Sequence, residues 1–156
     1  MDNPSGFSAA EREINQIAAR YPQAKAKIIF APTLAWDSEM FQRPQQLARA
    51  LARQGALVFY LQPEKGWPAN FVEIEERLYL SKSPSDAFHV LPDAFVYVVT
   101  WNIPLLAFFT QPRIIYDVLD TLDVFDGDPK QLQRDHQRTL RKADLVLTSS
   151  QPLQEA

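Results

Sequence analysis

Apolar and polar positions follow two rhythms along this chain. Short apolar runs dominate residues 27–31, 57–61, 94–100 and 114–116, and again residues 144–148. Such runs, bounded by Pro, Gly or polar clusters, predict buried strands. Between several of them apolar residues recur every three or four positions, which predicts helices. The first helix is expected after Ser8-Ala9-Ala10-Glu11, a hydroxyl at the N-cap with a carboxylate three residues on. Ile14, Ile17 and Ala18 give it a narrow stripe, and Pro22 ends it near Tyr21. Residues 1–26 therefore read as a helical extension ahead of a main domain over residues 27–156.

The next helix is expected over residues 41–55. Pro44 suits a first turn, where its missing N–H would be unpaired anyway, and Gly55 suits the position just past the end. Leu47, Leu51 and Ala48 are its expected buried face, and Arg49 and Arg53 its outer face. Strand, helix, Gly and strand make a βαβ crossover. Pro63 to Pro68, with Gly66 and Trp67, reads as a loop. Residues 71–75 and 78–80 read as a hairpin turning at Glu76-Arg77, a poor pair for a tight turn. A helical turn is expected around residues 86–89 and a short helix over residues 104–109. The run at residues 94–100 is apolar throughout, which predicts a central parallel strand buried on both faces. Asp128-Pro129 starts another helix, with Leu132, His136, Leu140 and Ala143 as its stripe and Lys130, Arg134, Arg138 and Arg141 as a basic face. Ser149-Ser150-Gln151-Pro152 reads as the cap of a last helix that Ala156 leaves incomplete. That predicts one domain of a longer protein. Helices alternating with apolar strands define an α/β class: a doubly wound, mostly parallel, Rossmann-like sheet.

Composition narrows the chemistry. The 156 residues fit one domain and a sizeable core. No Cys is present, which excludes disulfides, thiolate metal sites and Cys nucleophiles. A net charge of -3 gives no drive toward nucleic acid. The start at Met1-Asp2-Asn3 is polar and acidic, so no signal peptide is expected. No apolar run reaches the length of a membrane span.

Candidate chemistry gathers where the run ending at Tyr116 gives way to Asp117, Asp120 and Asp123. In an open α/β sheet, ligands bind outside the carboxyl ends of the strands. Carboxylates there can act as a general base, bind a sugar hydroxyl or hold a metal. Asp117 and Asp120 are the candidate catalytic residues; Asp123 and Asp126 read as turn residues. Asp120 is itself open to that plainer reading. Trp36, which can stack on a sugar, and Arg43, at a helix start where an anion can bind, are candidate substrate-binding residues. Trp36 can equally close the end of the core, and Arg43 can pair with Asp37 or Glu39. Asn102 and Ser149, at two further strand ends, complete the substrate-binding set. His136 reads as a core histidine, and no metal ligand set is assigned. Ala31-Pro32-Thr33-Leu34-Ala35 lacks the glycines of a dinucleotide loop, no P-loop exists, and no cofactor is expected.

Three blocks of this chain resemble a known family. They are Trp36-Asp37 with residues 41–48, Leu51-Ala52 and Gly55; Ile115 to Asp120; and Ala143 to Ser150. Together they are similar to the opening half of bacterial GT-B glycosyltransferases of the group 1 / family 4 class, including teichuronic-acid-biosynthesis-like members. The resemblance spans roughly residues 27 to 152. It implies an N-terminal acceptor-side domain whose partner, the C-terminal domain that binds the nucleotide-sugar donor, is absent here. It implies sugar transfer to a glycan or lipid-linked acceptor in cell-surface polysaccharide synthesis, without a metal, because Arg, Lys and helix N-termini stabilise the leaving diphosphate. The location implied is cytoplasmic, at the inner face of the membrane, with peripheral membrane contact a further expectation from the basic helix face. Residues 1–156 alone are expected to be inactive. Two other readings stand beside it: a non-catalytic recognition or assembly module fused to another enzyme, and a phosphoryl-type or metal-dependent enzyme using the Asp cluster.

Overall fold

The computed structural model describes residues 7–63, 70–82 and 85–155. The loop expected over Pro63 to Pro68 falls, from Glu64 on, outside them, as does the chain start at Met1-Asp2-Asn3. Helix α1 (Ala9–Arg20) begins with the expected capping box: Ser8 Oγ accepts from Glu11 N, and Glu11 accepts from Ser8 N. Ile14 and Ile17 are its buried stripe.

Seven strands form one sheet: β1 (Lys27–Phe30), β2 (Leu57–Leu61), β3 (Phe71–Glu75), β4 (Leu78–Ser81), β5 (Phe95–Val99), β6 (Arg113–Val118) and β7 (Leu145–Thr148). Their order is β3-β4-β2-β1-β5-β6-β7, and every neighbour pair is parallel except β3 with β4. The chain winds outward from β1 to one edge, returns to β5 beside β1, and winds to the other edge. This is the doubly wound, Rossmann-like arrangement, and its winding direction reverses between β1 and β5. The expected β3–β4 hairpin is present. Its Glu76-Arg77 turn works because Arg77 takes a positive φ of 66°. Its Nε is tied to Ala52 O and its Nη1 to Glu76.

Alternating strand residues feed two cores. Ile29, Phe59, Tyr79, Val96, Val98, Ile114 and Tyr116 pack with Ile14 and Ile17 of α1 and with Phe88. Ile28, Phe30, Val58, Tyr60, Tyr97, Val99 and Ile115 pack with Ala48 and Ala52 of α2 (Arg43–Arg53). Buried on both faces, β5 sits between β1 and β6, as its unbroken apolar run requires.

Two helix faces differ from expectation. In α2 the buried residues are Pro44, Gln45, Ala48 and Ala52, while Leu47 and Leu51 are only partly buried. The small alanines let the helix approach the sheet closely. Arg49 is consequently not an outward residue: its guanidinium lies over Phe41 and Trp36 and pairs with Glu75 at 2.5 Å. In α3 (Pro129–Lys142), Asp135 and Thr139 face inward, and Leu140 is 36% exposed. This helix packs more on the 3₁₀ segment Thr100–Phe108 than on β6, which brings Asp135 and Thr139 inward and leaves its stripe only partly buried. That 3₁₀ segment also begins before the expected position 104, because Asn102 Oδ1 accepts from Val99 N and caps its start. The cap at Asp128 and Pro129 is as expected, with Asp128 Oδ1 accepting from Lys130 N. The last helix, α4, covers Gln151–Glu155.

Candidate functional site at the carboxyl edge of the sheet

Register places Asp117 of β6 beside Val99 of β5, on the face that α2 covers. Asp117 is fully buried. Arg43, the first residue of α2, reaches it with a two-pronged contact: Nε donates to Oδ2 at 2.8 Å and Nη2 to Oδ1 at 3.1 Å. The Tyr97 hydroxyl donates to Oδ2 at 2.6 Å. Such a planar, charge-assisted fork fixes the guanidinium as well as binding it. The side chain of Arg43 is nevertheless 42% exposed, so one end lies in the core and the other at the surface. The hydrogen bond from Arg43 to Asp117 pushes its pKa up. Burial, then its bond to Asp117, pushes the Tyr97 pKa far up, so this hydroxyl stays a donor.

Beside this network, buried polar groups pin the loop that follows β1. The Tyr60 hydroxyl donates to Leu34 O at 2.8 Å and receives from Thr33 Oγ1 at 3.1 Å. Gln45 Nε2 donates to Ala35 O, Trp36 O and Ser38 Oγ at 2.9–3.2 Å, and Gln62 Oε1 accepts from Trp36 N. Asn102, buried, ties the loop to the exit of β5: its Nδ2 donates to Pro32 O at 2.8 Å. Trp36 is partly buried. Its ring meets Phe41 and Tyr60 edge-on, both at 5.1 Å.

Two other candidates stand at the rim. Asp120 is exposed, and its Oδ1 accepts from Thr121 N at 2.9 Å, a turn-capping contact. Ser149 is exposed and donates to Leu119 O at 2.8 Å, so it borders the exit of β6. The structure thus joins Arg43 directly to Asp117, uses Asn102 and Trp36 in the support beneath, and sets Asp120 and Ser149 outside. Sequence reasoning assigned nothing to Gln45, Tyr60 or Tyr97. Gln45 carried a faint signal, since a Gln three residues after a cap can reach back, as it does to Gln42 N at 2.6 Å.

On the opposite face, His136 Nδ1 lies 2.7 Å from the Tyr116 oxygen, itself 3.3 Å from Thr100 Oγ1. Burial lowers the His136 pKa and raises that of Tyr116. A groove of about 600 Å³ runs between the Thr100–Phe108 segment and α3, floored by Ile103, Leu106 and Ile114 and rimmed by Arg138 and Lys142. A recess of about 370 Å³ at the ends of β6 and β7 includes His136 and Thr148. Neither contains Arg43 or Asp117. Among the described residues no group of three or more His, Asp or Glu side chains could hold a metal ion, and no helix is long and apolar enough to cross a membrane. No family model matches the chain, and no curated protein or solved structure matches it.

Proposed function

We propose that this chain is the N-terminal, acceptor-side domain of a GT-B glycosyltransferase. The enzyme moves a sugar from a nucleotide-sugar donor to a glycan or lipid-linked acceptor in cell-surface polysaccharide synthesis. The carrying observation is the half-exposed Arg43, oriented by buried Asp117 at the carboxyl edge of a doubly wound sheet. That edge is where such sheets bind ligands. Arg43 keeps N–H donors beyond those given to Asp117 and offers them in a fixed direction.

In the transfer, the acceptor hydroxyl oxygen attacks the anomeric carbon of the donor. The bond from that carbon to the donor phosphate oxygen breaks, and the hydroxyl proton passes to a base. Asp120, exposed at the rim, is the base on this side; Asp117 acts through Arg43 as a positioning residue. A second Rossmann-like half holds the donor. The enzyme works at the inner face of the membrane, where the basic residues of α3 and the rim of the 600 Å³ groove face anionic lipid.

The burial of Asp117 and the use of both ends of the Asn102 amide in backbone bonds favour one other reading, a recognition module without catalysis. The test is release of nucleoside diphosphate from a panel of nucleotide sugars by the full-length gene product. Acceptor-dependent release supports transfer. A downstream sequence without a second Rossmann-like half, or no release from any donor, leaves the module reading in its place.

A further inference from the structure

The segments that follow β5 and β6 carry an aromatic pair that the site above does not use. Trp101 is 42% exposed, and its ring lies 5.8 Å from that of Phe125, tilted by 43°. Val124, next to Phe125, is 55% exposed. Large apolar side chains left open at the ligand-binding edge of a sheet mark a contact surface. The position of Trp101 is preset. Its neighbours Thr100 and Asn102 are buried, and Asn102 is held by Val99 N and Pro32 O. A side chain on so fixed a backbone costs little ordering on binding.

We infer that Trp101 and Phe125 form the platform on which a sugar ring of the acceptor stacks, and that this acceptor glycan is neutral or amino-bearing rather than anionic. A pyranose presents one face of C–H bonds, which suits the negative face of an aromatic ring. Its equatorial hydroxyls then project sideways and need acceptors. Asp120, Asp123 and Asp126, all exposed, lie on the loop that carries Phe125. The same acids set the charge preference. Arg43 is already matched by Asp117, while the loop of Phe125 presents three exposed carboxylates that repel an anion. They also oppose an anionic bilayer at this edge. The inference rests on reading the edge as the acceptor wall, and the aromatic pair, not the acids, carries it.

The test titrates residues 1–156 with three probes: the N-acetylglucosamine trimer, the glucosamine trimer and trigalacturonate. Phosphatidylglycerol vesicles are a fourth. Tryptophan fluorescence and the indole N–H signals are read in the wild type, Trp101→Leu, Phe125→Leu and the milder Asp123→Asn/Asp126→Asn. Melting curves check that each variant is folded. The two non-anionic trimers should bind, with Trp101→Leu weakening them roughly tenfold and the double Asp variant weakening the glucosamine trimer more than the N-acetylglucosamine trimer. Trigalacturonate should bind roughly tenfold more weakly than either. No binding by any trimer, binding indifferent to Trp101, a preference for trigalacturonate, or vesicle binding that Trp101→Leu weakens overturns the inference. The two readings fail separately. Trimer binding through Trp101 without nucleotide-sugar turnover by the full-length gene product removes the transfer reading and keeps the platform. Turnover whose acceptor KM ignores Trp101→Leu does the reverse.

Discussion

Asp117 and Asp120 stand three residues apart at the end of one strand, yet they live in different environments. Asp117, still inside β6, is fully buried and takes bonds from Arg43 and Tyr97. Asp120, just past the strand, is exposed and caps its own turn. Register makes the difference: a side chain opposite Val99 must enter the core, and one beyond the last ladder pair need not. The carboxyl edge is thus an inner scaffold surrounded by an outer rim that includes Trp101, Phe125 and Ser149. Substitutions inside should cost stability first, and those outside should cost binding or turnover first.

The largest loss is expected from Arg43→Ala, which leaves a buried carboxylate with only Tyr97 as partner. Breaking a buried pair this way costs up to ~5 kcal/mol; because Arg43 is 42% exposed and water can follow it, the loss should be nearer ~3 kcal/mol in urea unfolding. A loss below ~1 kcal/mol would mean that the network is not a scaffold. Asp117→Asn removes the charge but keeps the shape, and should cost about 2 kcal/mol in the same measurement.

Tyr97→Phe comes next, at about 1 kcal/mol near neutrality. Its signature lies in alkali. The pKa of Tyr97 is raised in the folded state, so its contribution is complete below about pH 10 and fades as pH rises further, where only the unfolded chain has lost the proton. Thermal melts from pH 9 to 11 should fall less steeply for Tyr97→Phe than for wild type; equal slopes would contradict the buried-donor assignment. The smallest stability effect belongs to His136, on the other face. Its pKa is lowered, so below about 6.5 the unfolded state takes up a proton that the folded state resists, and stability falls as pH drops. His136→Gln should flatten that acid slope, which melts between pH 5 and 7 would show.

Much of this fold was legible because local and global signals agreed. The capping box at Ser8, Pro44 and Gly55 around α2, and the apolar runs of β1, β2 and β5 each carry their own punctuation. The rotation of α2 was not legible: hydropathy favours Leu47 and Leu51 inward, but close helix–sheet approach selects Ala48 and Ala52. For α3 the partner was invisible, since it packs mainly on an irregular 3₁₀ segment. The site was half legible. The sequence singles out both Arg43 and Asp117, but for Arg43 it offers a bound anion or the local acids Asp37 and Glu39 as partners. The actual pairing spans 74 positions and follows from strand order. Asn102, Gln45 and Gln62 bond loop backbone, and no pattern in sequence announces which backbone groups will lack partners. Trp101 could be placed at a strand end, but its exposure depends on the loop of Phe125 opposite.

On the proposed transfer reading, the most direct measurement sets Asp117→Asn beside Asp120→Asn in the full-length gene product, following melting temperature and sugar-transfer kcat/KM together. A scaffold inside and a working rim outside require Asp117→Asn to lower the melting temperature. Asp120→Asn should leave stability within ~0.5 kcal/mol of wild type while sharply reducing transfer. Transfer at the wild-type rate by a normally folded Asp120→Asn protein would contradict the assignment of chemistry to the rim.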